Sequence, residues 1–322
     1  MKVYYSTEHI PAFEKAVVTI GTFDGVHTGH LSILEQLKSE AARIGGETVI
    51  ITFHPHPRKV IHTAQAPIRL INTIDEKIEL LRQNGIDHLF IVPFTDTFSQ
   101  QTPEDYIEKF LIGKFHPHTV IIGYDHRFGK NRQGDYKLLE AYSARLGFTL
   151  LEIPAHLISN NTVSSTRIRE AVAAGNIGVA NTLLGYDFFF EGTVVDGNKL
   201  GRTLGYPTAN LQVENEEKLI PGDGIYAVEV AIGNRQPEAN SPLGIDHARL
   251  KGMMSIGIRP TIGGTTRVIE VNIFDFNQNI YGQTLRVYVK KYLRSEVKFN
   301  GLDALKDQLA KDKEETLKAL GE

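Results

Sequence analysis

The pattern of apolar and polar positions changes kind once along the chain. Between residues 16 and about 185, short β-branched runs alternate with longer stretches of helical period. "AVVTI" precedes a helical stretch at 29–44, "ETVIITF" one at 74–84, "HLFIVPF" one at 103–113, "TVIIG" one at 134–146 and "FTLLEI" one at 165–174. Apolar strands separated by helices predict βαβ units, and hence a parallel sheet covered on both faces, an α/β fold. Ligands of such sheets bind beyond the carboxyl ends of the strands, where the polar clusters at 21–30, 54–57 and 123–134 fall.

From Phe188 onward strand-like runs follow one another with few helical intervals: "GIYAVEVAIG", "GMMSIGI", "RVIEVNIFDF" and "QTLRVYVKKYLR". That half predicts an antiparallel barrel or sandwich. The change of register places a domain boundary near 185, giving domains 1–185 and 186–322. The stretch 233–249 is polar and rich in proline and glycine and reads as a surface excursion. From Asn300 a helical repeat of leucine and alanine predicts a closing amphipathic helix.

Composition limits the function. With 322 residues, each half can bury its own core. Lysine and arginine total 35 against 38 acidic residues, a net charge of −3 that argues against duplex DNA or an acidic membrane as partner, so any anion site must be local. The chain has no cysteine, which removes disulfides, thiolate metal sites and cysteine nucleophiles and fits a reducing compartment, so the expected location is cytoplasmic. No run approaches the roughly 20 apolar residues of a membrane span, and the first residues lack the apolar core of a signal.

The first stretch with chemistry is "GTFDGVHTGH", residues 21–30. A buried strand ends at Ile20, glycines permit a tight turn, and a helix begins near Gly29. Backbone N–H groups at the helix start, and His27 and His30 three residues apart on one side, make an anion site that stabilises charge on a transferring phosphoryl group. The turn carries no lysine, so it is not a Walker-type loop. Two other readings stand beside this one. One histidine caps the helix while the other is exposed, or both bind zinc with help from His54 and His56. Asp24 beside glycine reads as a turn residue bonding its own backbone.

This stretch, with "TFHPHP", "IIGYDHRFGKNRQGD" and "SSTRIR", resembles the flavin-mononucleotide adenylyltransferase half of the bacterial bifunctional riboflavin kinase and FAD synthetase family. The resemblance implies a Rossmann-like nucleotidyltransferase sheet and an ATP site of Gly21, Phe23, His27, Gly29 and His30. His27 and His30 would bind the phosphates while the FMN phosphate attacks the α-phosphorus and pyrophosphate departs. Ser165 or Thr166 can cap the following helix, and Arg167 and Arg169 offer forked donors for phosphate. The resemblance adds Ser165, Thr166 and Arg167 to the ATP site and places Asp125 and His56 on the flavin or nucleotide side. His126 stands where the family usually has an aromatic residue.

In the second half, "GTVVDGNKLGRTLGYPTANL" puts glycines around a loop between strands, which by itself reads as turns and bulges. Thr208 and Asn210, two apart in an extended segment, present hard oxygen ligands to one side, a set that suits magnesium. This segment, with "GDGIYAV", "GIRPTIGG" and "VIEVNIFDF", resembles the riboflavin kinase family, so the two resemblances cover nearly the whole chain. They imply a riboflavin kinase barrel with a closing helix, Gly201, Thr208 and Asn210 holding Mg-ATP, and Glu270 as the base for the riboflavin hydroxyl. Periodicity alone puts Glu270 on the solvent face. If the face shared by Glu270, Asn272, Phe274 and Phe276 turns inward, desolvation suits the carboxylate to general-base work. The aromatic run "YDFFF" at 186–190 reads as core. The expectation is therefore an ATP-dependent enzyme using Mg2+ that makes FMN and ADP from riboflavin and then FAD and pyrophosphate from FMN. Loss of one activity, or a flavin-binding regulatory role, is the alternative.

Overall fold

The computed structural model describes residues 1–61, 67–124, 126–153, 163–197, 200–233, 249–261 and 264–321. Residues 234–248 of the expected surface excursion, and Asp125, lie outside the described residues. Packing divides the chain into two compact units, Met1–Ser165 and Thr166–Glu322.

The first unit is built on strands β1 (Lys2–Tyr4), β2 (Val17–Ile20), β3 (Thr48–His54), β4 (His88–Pro93), β5 (Thr119–Gly123) and β6 (Thr149–Ile153). All pair in parallel, in the order β1-β4-β3-β2-β5-β6. Every residue of β2 and the first five of β3 are buried, because helices cover both faces. Val18, Ile20, Val49, Ile51, Phe90 and Val120 pack with Phe110 and Phe115 into the core on one face. β1 was not expected from the pattern, since three residues are too few to display a period. It is held by pairing with β4 and by the Tyr4 ring stacked on Phe90 at 4.3 Å.

The helices start and stop where local chemistry directs. Thr73 caps Ile74–Gln83, accepting from the Glu76 N–H while Glu76 reaches back to the Thr73 N–H. Asp135 caps Tyr136–Leu146, and Gly147 ends it in the left-handed conformation. The chain runs outward from β2 through β3 to β4, then returns to β5 and β6. The order of strands therefore reverses beside β2, and the crevice beyond the carboxyl ends of β2 and β5 is the binding position of an open α/β sheet.

In the second unit, β7 (Phe189–Val195), β8 (Ala209–Gln212), β9 (Gly224–Gly233), β10 (Leu250–Thr261), β11 (Gly264–Ile273) and β12 (Thr284–Arg294) form a closed barrel, order β10-β11-β8-β7-β12-β9. Of the barrel and sandwich left open by the strand pattern, closure decides for the barrel, and it removes the sheet edges. Phe188, Phe189 and Phe190 are 1%, 4% and 0% exposed, which makes the aromatic run core. Helices Ser165–Ala173 and Ile177–Leu184 precede the barrel. Asn181 ties the second of them to it, donating to the Val289 carbonyl at 2.9 Å and accepting from the Phe188 N–H at 2.8 Å. The closing helix, Leu302–Ala319, is fastened through Asp312, 1% exposed, whose carboxylate accepts from Arg294 Nε and Nη2 at 2.8 and 2.6 Å.

Candidate functional site

In the first unit the turn after β2 leaves the sheet when the Gly21 N–H donates to the Ile51 carbonyl at 3.0 Å. Phe23, Gly25 and Val26 all take positive φ, 46°, 94° and 37°. For phenylalanine and valine that region is strained, and the surrounding bonds have to hold it. They do so from several directions. The Thr22 carbonyl accepts from Lys77 Nζ at 2.7 Å and Thr52 Oγ1 at 3.1 Å, and the Asp24 carbonyl from Ser165 Oγ at 2.9 Å. The Asp24 carboxylate, 1% exposed, accepts from the backbone N–H of Ile71 and Asn72 at 3.0 and 3.4 Å. It thus reaches a distant strand-to-helix connection, because the strained turn carries it inward.

His27 and His30 come together as stacked rings, 3.7 Å between centroids and 16° between planes. The His27 N–H donates to His30 Nδ1 at 3.3 Å, so the neutral His30 ring carries its proton on Nε2. Burial pushes His30 well below 6.5, and His27 and Lys77 add to the effect. The cap reading held one ring to be exposed. Instead His27 is 6% exposed and His30 serves the helix start while staying partly buried. Face-to-face rings with one nitrogen engaged do not converge lone pairs on a zinc ion, and among the described residues no group of three or more histidine or acidic side chains could hold a metal.

Gly29 lies buried in the first turn of the helix Thr28–Ile44. Phe23 is 1% exposed with its ring 4.9 Å from that of His30, and a Cβ on Gly21 would meet that same Phe23 ring at 3.1 Å. Phe23 and Gly21 therefore shape the turn. His56, buried beyond β3, accepts from the Arg58 N–H at 3.2 Å through Nδ1, while His54 is exposed. Ser165 opens its helix as the first helical residue rather than as its cap, since its hydroxyl is turned to the Asp24 carbonyl. Thr166 and Arg167 follow it in the same first turn and are exposed. Asp125 falls outside the described residues. Sequence reasoning missed Thr52 and Lys77, and only a buried lysine in an otherwise amphipathic helix could have signalled the second.

In the second unit Glu270 of β11 stands directly opposite Asn210 of β8. Opposed residues project to one face, so the two side chains are neighbours. Thr208 and Glu270 line a cavity of about 500 Å³, with Met253, Ile225, Leu305, Leu309 and Phe299 among its walls. Thr208 also lines a second cavity of about 520 Å³, with Val271, Phe276, Asn277 and Tyr281. It is the residue common to both cavities. Gly201 lies against this segment, where a Cβ would meet the Tyr206 carbonyl oxygen at 2.3 Å.

Glu270 is therefore not on the solvent face that periodicity gave it. Its side chain is 29% exposed, with Arg259 Nη2 3.5 Å from the carboxylate. The shared face extends only to Asn272 and the buried Phe274. The strand ends at Ile273, Asp275 takes φ 53°, and Phe276 lines the second cavity instead. Asn272 Nδ2 donates to the Pro207 carbonyl at 2.6 Å and so fixes the segment bearing Thr208 and Asn210. Arg259 also pairs with Glu296 at 2.7 Å, and Ser255 Oγ donates to Glu296 at 3.1 Å. Asn272, Arg259 and Glu296 line the same cavity as Glu270, and the sequence pattern did not single them out for these contacts.

Comparison with known proteins bears on both units. A family model described as FAD synthetase matches residues 9–167, and one described as riboflavin kinase matches 184–320. A bifunctional riboflavin kinase/FMN adenylyltransferase of Haemophilus influenzae is 37% identical over 92% of this chain and 92% of that protein. Proteins of the same description from Escherichia coli (strain K12) and Bacillus subtilis are each 35% identical. The first covers 93% of this chain and 91% of that protein, the second 94% and 92%. Among solved structures, one from Streptococcus pneumoniae described as a macrolide-efflux protein superposes with a TM-score of 0.83 at 31% identity, over 98% of both chains. Among the described residues of this chain no helix is long and apolar enough to cross a membrane.

Proposed function

Because the chain belongs to the bifunctional riboflavin kinase/FMN adenylyltransferase family, we propose that His27 and His30 serve its adenylyltransferase step and Thr208, Asn210 and Glu270 its kinase step. The two activities are those of the family. The protein phosphorylates riboflavin to FMN and adenylylates FMN to FAD, using ATP in both. Our assignment puts adenylylation in residues 1–185 and phosphorylation in 186–322.

For the kinase step, the observation that carries the reading is that, among the described residues, Thr208 lines both of the cavities described above. A γ-phosphate passing from nucleotide to flavin must cross the wall that separates them. The first cavity has the apolar and aromatic walls that a flat flavin ring requires, and Glu270 on it. The second offers Asn277, Gln278 and Asn279 beside Tyr281 and Ile280, polar edges and an aromatic face suited to adenine. Glu270 accepts the proton of the riboflavin 5′-hydroxyl as that oxygen bonds the γ-phosphorus and the bond to ADP breaks. Asn210 faces Glu270 across the strands, and with Thr208 supplies two hard oxygens. Two protein oxygens fit magnesium, which keeps waters and takes its other ligands from phosphate. Bound there, magnesium would offset phosphate charge while these residues orient the nucleotide.

For the adenylyl step, an oxygen of the FMN phosphate bonds the α-phosphorus of ATP and pyrophosphate leaves. His30 Nε2 is the nitrogen left to donate to a phosphate oxygen, since Nδ1 is engaged by the His27 N–H. The helix start beside it adds backbone donors and the positive end of the helix dipole. Ser165, Thr166 and Arg167 sit at the start of their own helix, and the guanidinium of Arg167 is our choice as a further phosphate donor. Asp125 and His56 are assigned to the flavin or nucleotide side, and magnesium is proposed for this half too.

Incubation with riboflavin and Mg-ATP should give FAD by way of FMN. His30→Ala should stop FAD formation while FMN still accumulates, and Glu270→Gln should block FMN formation yet leave adenylylation of supplied FMN intact. Loss of both steps in either variant refutes the division of labour.

A further inference from the structure

The histidine turn carries no lysine of its own, yet the structure brings one to it. Lys77 comes from the helix Ile74–Gln83, is 6% exposed, and donates from Nζ to the Thr22 carbonyl at 2.7 Å. Its neighbour on that helix, the buried Glu76, accepts from the Thr73 N–H in the helix cap. The charged groups around Lys77 are Asp24 of the turn, which favours its ammonium, and two histidines whose protonation it opposes. These are His30 of the following helix and His54 at the end of β3, the latter also facing Lys59 and Asp75. A buried ammonium opposes folding, and a chain that needed only a peg under the turn could use a neutral donor. The strained turn, with Phe23 and Val26 at positive φ, is also the part of the site whose path most needs holding.

We propose that Lys77 is a positioning residue of the adenylyltransferase site, fixing the histidine turn through the Thr22 carbonyl and supplying beneath it the positive charge toward triphosphate that the turn's own sequence lacks. The inference rests on the assignment of His27 and His30 to that step. The charge is fixed on the protein side of the turn, so it acts on phosphate through the turn and not by contact. It also adds to the burial that holds His30 below its usual value, so that His30 presents an N–H donor without competing for a proton.

Burial brings Lys77 down to about 8. His30 and His54, both held below 6.5, have finished titrating by then. Because kcat/KM reports the free enzyme, FAD formation should weaken as pH rises through 8. Arginine stays charged across that range and removes the limb.

The test uses the full chain with FMN and Mg-ATP and compares wild type, Lys77→Arg and Lys77→Met from pH 6.5 to 10. Lys77→Met should lower kcat/KM for FAD roughly tenfold to a hundredfold, the scale of a misplaced positioning group. The loss should fall mainly on KM for ATP, with FMN formation by the same chain unchanged. Lys77→Arg should recover most of the activity and lose the alkaline limb. An alkaline limb retained in Lys77→Arg, or a Lys77→Met protein with wild-type kcat/KM, overturns the proposal. Should Lys77→Met fail to fold, the arginine variant and the wild-type pH profile decide alone. His30→Ala in parallel separates the two failures. If it still makes FAD, the site assignment is wrong. If it does not while Lys77→Met is unaffected, only the role of Lys77 is.

Discussion

Replacing Lys77 by methionine should make the first unit no less stable, and up to about 2 kcal/mol more stable, at pH 7. A side chain whose pKa is 10.5 in the unfolded chain and about 8 in the fold opposes folding by about 3 kcal/mol at pH 7. Against that stands the hydrogen bond from the ammonium to the Thr22 carbonyl, about 1.5–3 kcal/mol for a charged donor. The carbonyl is not orphaned by the change, because Thr52 Oγ1 still donates to it at 3.1 Å. Methionine fills the same volume without a charge. The unfolded chain binds the extra proton between about pH 8 and 10.5, so wild-type stability is full above 10.5 and falls as pH drops toward 8. The electrostatic cost is then about 3 kcal/mol at pH 7 and roughly half of that at pH 9.5, so the variant's advantage shrinks by roughly that difference. Native-state hydrogen exchange of peptides spanning β2 and β3 in the full chain measures both values. A Lys77→Met protein less stable by more than about 1 kcal/mol at pH 7, or a gap that does not change with pH, refutes the reasoning.

Other expectations follow from single contacts. Asp312→Ala removes the buried partner of Arg294 and should cost about 3–5 kcal/mol, seen as early exchange of the helix Leu302–Ala319. Gly257→Ala places a Cβ 1.7 Å from Glu296 Oε2, so Glu296 must leave Arg259. Its kcat/KM for FMN formation should fall roughly tenfold, with adenylylation of supplied FMN unchanged. His30 and His54 titrate lower in the fold than at 6.5, so the first unit should lose stability as pH falls below 6.5, and His30→Gln should flatten that slope in an acid denaturation series.

Much of the fold is legible in the residues because the periods are long and consistent. The runs "AVVTI", "ETVIITF", "HLFIVPF" and "TVIIG" are buried on both faces and can only be central strands, and local signals such as Gly45, Thr73 and Thr102 mark ends of the helices between them. β1 was not legible, since its three residues make a strand only by pairing with β4. The chain also changes compact unit earlier than its pattern changes. The helix Ile177–Leu184 continues the helical period of the first half yet bonds to β12 through Asn181.

The opening pair of histidines shows where the two kinds of information part. The sequence by itself determined that a strand, a glycine turn and a helix start would stand in a row with His27 and His30 on one side, because spacing of three on a helix is a local fact. Only tertiary structure decided that Thr52, Lys77 and Ser165, from three separate segments, converge on the carbonyls of that turn. Likewise the residues of "RVIEVNIFDF" determined an alternation, while closure of the barrel decided which side faced the cavity and turned Glu270 toward that cavity and Arg259. Periodicity specifies two faces and leaves them equivalent. What distinguishes them is the packing partner, and that is a property of the whole fold.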